Sequence, residues 1–165
     1  MDNTRQTHNI EPIFDSKSKI LILGSFPSVK SREGMFFYNH PQNRFWKVLS
    51  AVLNQETPQT IEEKKIFLLK NKIALWDVIA SCTISGSSDS SIKDVETNDI
   101  NMILNHCDIK MIFCNGNLAY SLFMKHLFPI LQIEPIKLPS TSPANARYTL
   151  EKLCDSWSQI IDYLN

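Results

Sequence analysis

Apolar positions in this chain fall into short blocks of two kinds. Ile20 to Leu23 is an unbroken aliphatic run closed by Gly24; IALWDVI, Ile73 to Ile79, and Ile109 to Cys114 repeat the pattern, and Gln132 to Leu138 is a weaker copy. Continuous apolar runs of this length predict strands covered on both faces. Between them, apolar residues recur every three or four positions, as on one face of a helix. Phe45, Trp46, Leu49, Val52 and Leu53 predict a helix from Arg44 to about Leu53, and Ile61, Ile66 and Leu69 a second over 61–70. A short helix follows at Asp99 to Asn105, then one at Leu118 to Leu127 with Leu118, Leu122, Phe123 and Leu127 inward. The clearest periodicity is the last: Leu150, Leu153, Cys154, Trp157, Ile160, Ile161 and Leu164. Helix starts carry polar caps. Asn43 and Asn98 are N-cap residue types, and Thr60 with Glu63 makes a capping-box pattern. Strands alternating with helices predict an α/β protein, a three-layer α/β/α sandwich with a central, mostly parallel four-stranded sheet.

The remaining segments are polar. Residues 1–19 read as a lead-in, with Ile10, Ile13 and Phe14 tucked against the body, and the serine-rich residues 81–91 as a surface loop beside a strand end. With 165 residues and no internal repeat, the chain is expected to form one domain, residues 1–165. A chain of this size buries about 68–70% of its unfolded surface and needs no disulfide staple. Cys82, Cys107, Cys114 and Cys154 are scattered without a C-x-x-C pair, which argues against zinc or iron–sulfur ligation. No metal or other cofactor is expected. The polar N-terminus and the lack of a long apolar run predict a cytoplasmic protein with no membrane partner. Lysine plus arginine balances aspartate plus glutamate at 17 each, so any attraction to a polyanion must come from a local patch.

Candidate chemistry gathers around the first strand. Gly24 opens the loop GSFPS at the strand's carboxyl end, where α/β folds bind ligands, and a glycine there lets a ligand approach the backbone. Ser25, Phe26 and Ser28 lie in that loop, and the cluster Tyr38, Asn39, His40, Pro41, Gln42, Asn43 follows it. A second loop, PSTSPANAR from Pro139 to Arg147, follows the fourth strand. Tyr38 can stack on a flat ligand that amides hydrogen-bond, and Ser140, Thr141 and Ser142 suit phosphate contacts. The same residues also have a purely structural reading, with Asn43 as a cap, Tyr38 as packing and His40 as a hydrogen-bonded loop residue. No G-x-S-x-G elbow, G-x-G-x-x-G or phosphate-binding G-x-x-x-x-G-K-[ST] is present.

GSFPS, YNHPQNRFWKVL and LPSTSPANARYTLEKL, in this order over nearly the full chain, resemble the uracil-DNA glycosylase superfamily. LWDV with the following GSSDSSI is similar to its hypoxanthine-specific branch, the DNA-deoxyinosine glycosylases, and HPQNRFW to the mismatch-specific uracil enzymes. Phe26 stands where the mismatch-specific enzymes carry a catalytic amide. The resemblance implies a monofunctional enzyme that flips a deaminated base, hypoxanthine, out of double-stranded DNA and hydrolyses its N-glycosidic bond. It implies Asn43 as the catalytic residue, orienting water through its carbonyl oxygen, with Tyr38 stacked on the base. Gly24, the backbone amides of Ser25 and Phe26, His40 and Asn115 would form the base pocket. Ser28, Ser140, Thr141 and Ser142 would contact DNA phosphates, while Pro143, Ala144 and Arg147 enter the duplex. Lys30, Arg32, Arg44, Lys47 and Lys137 would add phosphate contacts. The protein would act as a monomer. Excision of uracil, or lesion binding without catalysis, are the competing expectations.

Overall fold

The structure is a computed structural model in which residues 4–7, 10–27, 29–84 and 92–165 are described. Its centre is a four-stranded, all-parallel sheet in the order β3-β2-β6-β7, formed by β2 (Ile20–Gly24), β3 (Ile73–Asp77), β6 (Met111–Asn115) and β7 (Ile136–Leu138). β2 is interior and every one of its residues is buried, which is why its sequence is a continuous aliphatic run rather than an alternation. Burying its four aliphatic side chains contributes about 6–12 kcal/mol in gross transfer terms, an upper figure because denatured chains are partly collapsed. Across the sheet Gly24 pairs with Asp77, Leu23 with Cys114 and Asn115 with Leu138, so the carboxyl ends of all four strands come level along one edge.

Helices surround this sheet: α1 (Val29–Gly34), α2 (Phe45–Val52), α3 (Ile61–Lys70), α4 (Asn101–Leu104), α5 (Asn117–Leu122), α6 (Phe128–Leu131) and α7 (Leu150–Trp157). The expected capping box opens α3, with Thr60 Oγ1 accepting from Glu63 N and Glu63 Oε1 from Thr60 N. α2 packs on α7 through Phe45 and Trp157, edge to face at 5.9 Å between ring centroids. The helix expected to end at Leu127 continues as a π-helical stretch, Phe123–Leu127, and then α6. α7 likewise passes into a 3₁₀ segment, Ser158–Tyr163. That change of period turns the apolar stripe: Leu153, Trp157 and Ile160 are buried, while Leu150 and Ile161 are exposed.

A second sheet was not foreseen. β1 (Thr4–Thr7), β4 (Ile79–Ile84) and β5 (Lys93–Thr97) pair antiparallel in the order β1-β4-β5. The expected single strand over Ile73 to Ile79 is therefore two, parted at Val78, whose N–H goes to the Gly24 carbonyl. Asn98, expected to cap a helix, instead donates from Nδ2 to the carbonyls of Asp77 and Ile79 and fixes that corner from inside. Ile10 and Ile13 are tucked in as expected, with Ile13 bridged to Leu75. Residues 85–91 of the serine-rich stretch lie outside the described residues. Among the described residues, no helix is long and apolar enough to cross a membrane.

Candidate active site

Four strand ends level at one edge leave their connecting loops above it, and these loops enclose a cavity of about 1160 Å³. Gly24, Ser25 and Phe26, then Tyr38, His40 and Asn43, line it from the segment after β2. Asn115 enters from the end of β6, and Ser140 to Ala144 from the loop after β7. Most of the expected site residues thus converge on one volume, large enough for a nucleobase with its sugar. Arg147 is exposed and lies outside the lining, whereas Pro143 and Ala144, also exposed, belong to it. Ser28 lies outside the described residues, as does the side chain of Lys30.

The two motif loops are laced together by Asn43 and Arg44. Asn43, expected to cap α2, lies one residue before the N-cap, which is Arg44; its Oδ1 accepts from the backbone N–H of Phe45 at 3.0 Å and from Thr141 Oγ1 at 2.9 Å. Arg44 N donates to the Thr141 carbonyl at 3.1 Å. The Arg44 guanidinium donates to the carbonyls of Tyr148, Ser142 and Asn145, which makes it the clamp of the 140–148 loop. Two expectations change accordingly. Arg44 spends its donors inward on carbonyls rather than on DNA phosphates, because the loop that would otherwise leave those carbonyls bare folds over it. Thr141 is fully buried and cannot meet a phosphate. Its hydroxyl accepts from Asn115 Nδ2 at 3.0 Å, and its N–H donates to Asn115 Oδ1 at 3.1 Å.

The expected geometry for Asn43 also changes. A carbonyl oxygen has two lone-pair directions, and both of Asn43's are taken. Its Nδ2 makes no hydrogen bond to a described residue. The amino end, a donor, is the end available to a ligand.

Other loop residues are fixed locally. Ser140 Oγ accepts from Ser142 N and Ser142 Oγ from Ala144 N, two short turns that shape the rim. Trp157 Nε1 donates to the Pro139 carbonyl at 2.9 Å, anchoring the loop's first residue to α7. His40 Nδ1 accepts from Gln42 N, a bond within its own loop, while the residue also lines the cavity. Gly116, at φ 99, starts α5 in a conformation closed to most side chains and lies against Ser140.

At the floor, Tyr38 stacks on Phe45 with ring centroids 4.0 Å apart and sits at φ 50, strained for a non-glycine. Among the described residues its buried hydroxyl has no partner in hydrogen-bonding geometry, although the Asn115 amide lies near enough to favour the phenolate slightly. Burial first, and the Asp77 carboxylate second, push the Tyr38 phenol far above its usual range. Asp77 escaped the sequence reading. It is 3% exposed, lines the cavity at the end of β3, and its carboxylate comes so close to Gly24 that a Cβ there would lie 2.3 Å from Asp77 Oδ1 and 2.8 Å from Tyr38 Oη. The only visible signal was an aspartate closing an otherwise apolar strand. Lys137 also lines the cavity, its ammonium 5.5 Å from the Tyr120 ring centroid.

Comparison with known proteins places these features among relatives. The family model described as "Uracil DNA glycosylase superfamily" matches residues 11–165. A protein of Methanosarcina acetivorans named hypoxanthine DNA glycosylase is 34% identical over 139 residues, 83% of this chain and 87% of the relative. A protein of the same name from Methanosarcina barkeri is 30% identical over 150 residues, 90% of this chain and 93% of the relative. The solution NMR structure of a candidate uracil DNA glycosylase from Methanosarcina acetivorans superposes with a TM-score of 0.80 at 30% identity, covering 94% of this chain and 96% of that one.

Proposed function

Since the chain belongs to the uracil DNA glycosylase superfamily and is a DNA glycosylase, we propose that its substrate is deoxyinosine in double-stranded DNA. It extrudes hypoxanthine and hydrolyses the N-glycosidic bond, leaving an intact strand with an abasic site. The observation that carries this reading is the cavity over the strand ends, walled by the HPQNRFW and PSTSPAN segments that Asn43 and Arg44 tie together. Extrusion is required because the bond to be cut is hidden in the base stack.

The floor suits a base that carries a lactam. Hypoxanthine presents an N–H beside a carbonyl on its pairing edge, where adenine presents a bare ring nitrogen beside an amino group. The Asp77 carboxylate can accept from the hypoxanthine N–H, whereas adenine's bare ring nitrogen turns a lone pair toward it and leaves only the exocyclic amino group to donate. Tyr38, backed by Phe45, offers its ring for stacking. Cleavage passes through an oxocarbenium-like sugar and a departing anionic base, so hydrogen-bond donors fixed around the base lower the barrier most. Ser140 and Ser142, with Lys137 and Arg147, hold phosphates at the rim, while Pro143 and Ala144 fill the gap left by the base. The protein works as a single domain and a monomer.

The test uses end-labelled duplexes containing one deoxyinosine, one deoxyuridine or neither, incubated with the wild type and Asn43→Ala and then cleaved with alkali at abasic sites. Alkali-labile breaks at deoxyinosine with wild type, and at least a hundredfold fewer with Asn43→Ala, are expected for loss of one donor from such a site. Breaks at deoxyuridine alone would move the assignment to uracil. Tight binding of the inosine duplex without breaks would make the protein a lesion-binding module.

A further inference from the structure

The hydrogen bonds around Thr141 form a chain whose direction is settled at both ends by backbone N–H groups, which can only donate. At one end Thr141 N donates to Asn115 Oδ1 at 3.1 Å, so the other half of the Asn115 amide, Nδ2, is the donor to Thr141 Oγ1 at 3.0 Å. That leaves the Thr141 hydroxyl proton for Asn43 Oδ1, 2.9 Å away. At the other end Phe45 N donates to the same Oδ1 at 3.0 Å, which excludes the flipped amide at Asn43. No choice of rotamer label or amide orientation remains open. The Thr141 side chain is wholly shielded from solvent, so water does not compete for these bonds.

We propose that Thr141 is a positioning residue that locks the Asn43 amide with its oxygen turned inward and its NH₂ toward the cavity. Asn43 then acts as a hydrogen-bond donor to the departing base and does not hold the attacking water through its oxygen. This rests on the excision reading above. The chemistry is complementary: the leaving purine carries developing negative charge on its ring nitrogens and O6, and a fixed N–H is matched to it. Because Asn115 closes β6 and Thr141 follows β7, the lock ties the orientation of Asn43 to the parallel sheet as well as to its own segment through Phe45 N.

Asn43→Asp separates the two roles. The aspartate keeps an acceptor for Phe45 N and Thr141 Oγ1 and turns its second oxygen to the cavity, where it can accept from water and take its proton but cannot donate. Single-turnover release of hypoxanthine by Asn43→Asp is expected to be as slow as by Asn43→Ala. Thr141→Val, close in shape but without the hydroxyl, is expected to slow release roughly a hundredfold, the scale of a misoriented catalytic group, with inosine-duplex affinity unchanged within about threefold. Thr141→Ser should restore the rate to within about fivefold of wild type. In an Asn43→Ala background, Thr141→Val should cost nothing further, since a lock without its bolt has no effect on rate. Circular dichroism and melting of each variant identify one that has not folded; if Thr141→Val is that one, Thr141→Ala takes its place in the comparison. An Asn43→Asp rate equal to or above wild type would overturn the donor role. A Thr141→Val effect undiminished by Asn43→Ala would overturn the lock. Failure of the wild type to release either hypoxanthine or uracil would overturn the excision reading itself, and the inference with it.

Discussion

Arg44 offers the sharpest separation between a residue that builds the site and one that touches DNA. Its guanidinium donates to the carbonyls of Ser142 at 3.2 Å, Asn145 at 3.1 Å and Tyr148, all in the loop that walls the cavity. Hydrogen bonds to a charged group contribute about 1.5–3 kcal/mol each. These are partly buried and share one side chain, so their joint loss is nearer 3–4 kcal/mol than the sum. For a chain of this length each kcal/mol moves the melting temperature by about 2–4 °C. Arg44→Met, which keeps the aliphatic stem, should therefore lower Tm by about 6–16 °C. Arg44→Lys should recover less than half, since a single ammonium cannot reach three carbonyls that a planar fork spans. The second measurement is the salt dependence of binding to undamaged duplex. A phosphate contact removed by mutation lowers the slope of log K against log salt by about one. Arg44→Met should leave that slope unchanged, measured below its melting transition. A Tm within about 1 °C of wild type together with a slope reduced by one would show that Arg44 serves DNA, and the clamp would be refuted.

Further predictions concern the floor and the rim. Tyr38→Phe removes a buried, unpartnered hydroxyl and should stabilise the fold by about 1 kcal/mol at pH 7, read from the urea midpoint; a destabilised variant would show that the hydroxyl has a structural partner. Tyr38 and Cys114 also set an alkaline limit, burial holding the thiol up at about 12. Both folded-state pKa values lie above the unfolded ones, so the associated stability is complete below about pH 8.5 and falls as pH rises, by up to about 1.4 kcal/mol per unit per group. The gap between Tyr38→Phe and wild type should therefore widen between pH 9 and pH 11, and a constant gap would contradict it. Gly24→Ala places its methyl on the Asp77 and Tyr38 oxygens and should abolish excision while leaving non-specific duplex binding within about twofold; wild-type activity would mean the base does not reach this floor. Arg147→Ala should weaken lesion and undamaged duplex alike and reduce the salt slope by about one; an unchanged slope removes it from the rim contacts.

What could be read along the chain was local. The aliphatic run of β2 and the capping box of Thr60 and Glu63 follow from residues within a few positions of one another, and the meeting of GSFPS with PSTSPAN follows from each standing at the carboxyl end of a parallel strand. The second sheet does not: TRQT has no alternating apolar pattern, and its partner lies more than seventy residues away, Arg5 opposite Thr83. The corner at Val78 is hidden because apolar residues run on through both strands, and the Asn98 amide that holds it comes from a distant segment. Thr141 looked like a phosphate ligand because it sits between two serines in a polar loop. Its burial depends on Asn43 and Asn115, neither of which is near it in sequence. Arg44 misled for the same reason, as a cation's partners are decided by the loop that closes over it.

The central claim is hydrolytic release of a whole base, and the direct measurement is the product itself. A duplex with one deoxyinosine is incubated with excess protein, free hypoxanthine is quantified by mass spectrometry, abasic sites are counted in the same sample, and a parallel sample is treated with borohydride. The account predicts one hypoxanthine per abasic site and no covalent protein–DNA adduct, because Lys137, although it lines the cavity, is assigned to a phosphate and not to attack on the sugar. An inosine duplex that is bound and returned without free hypoxanthine would contradict it.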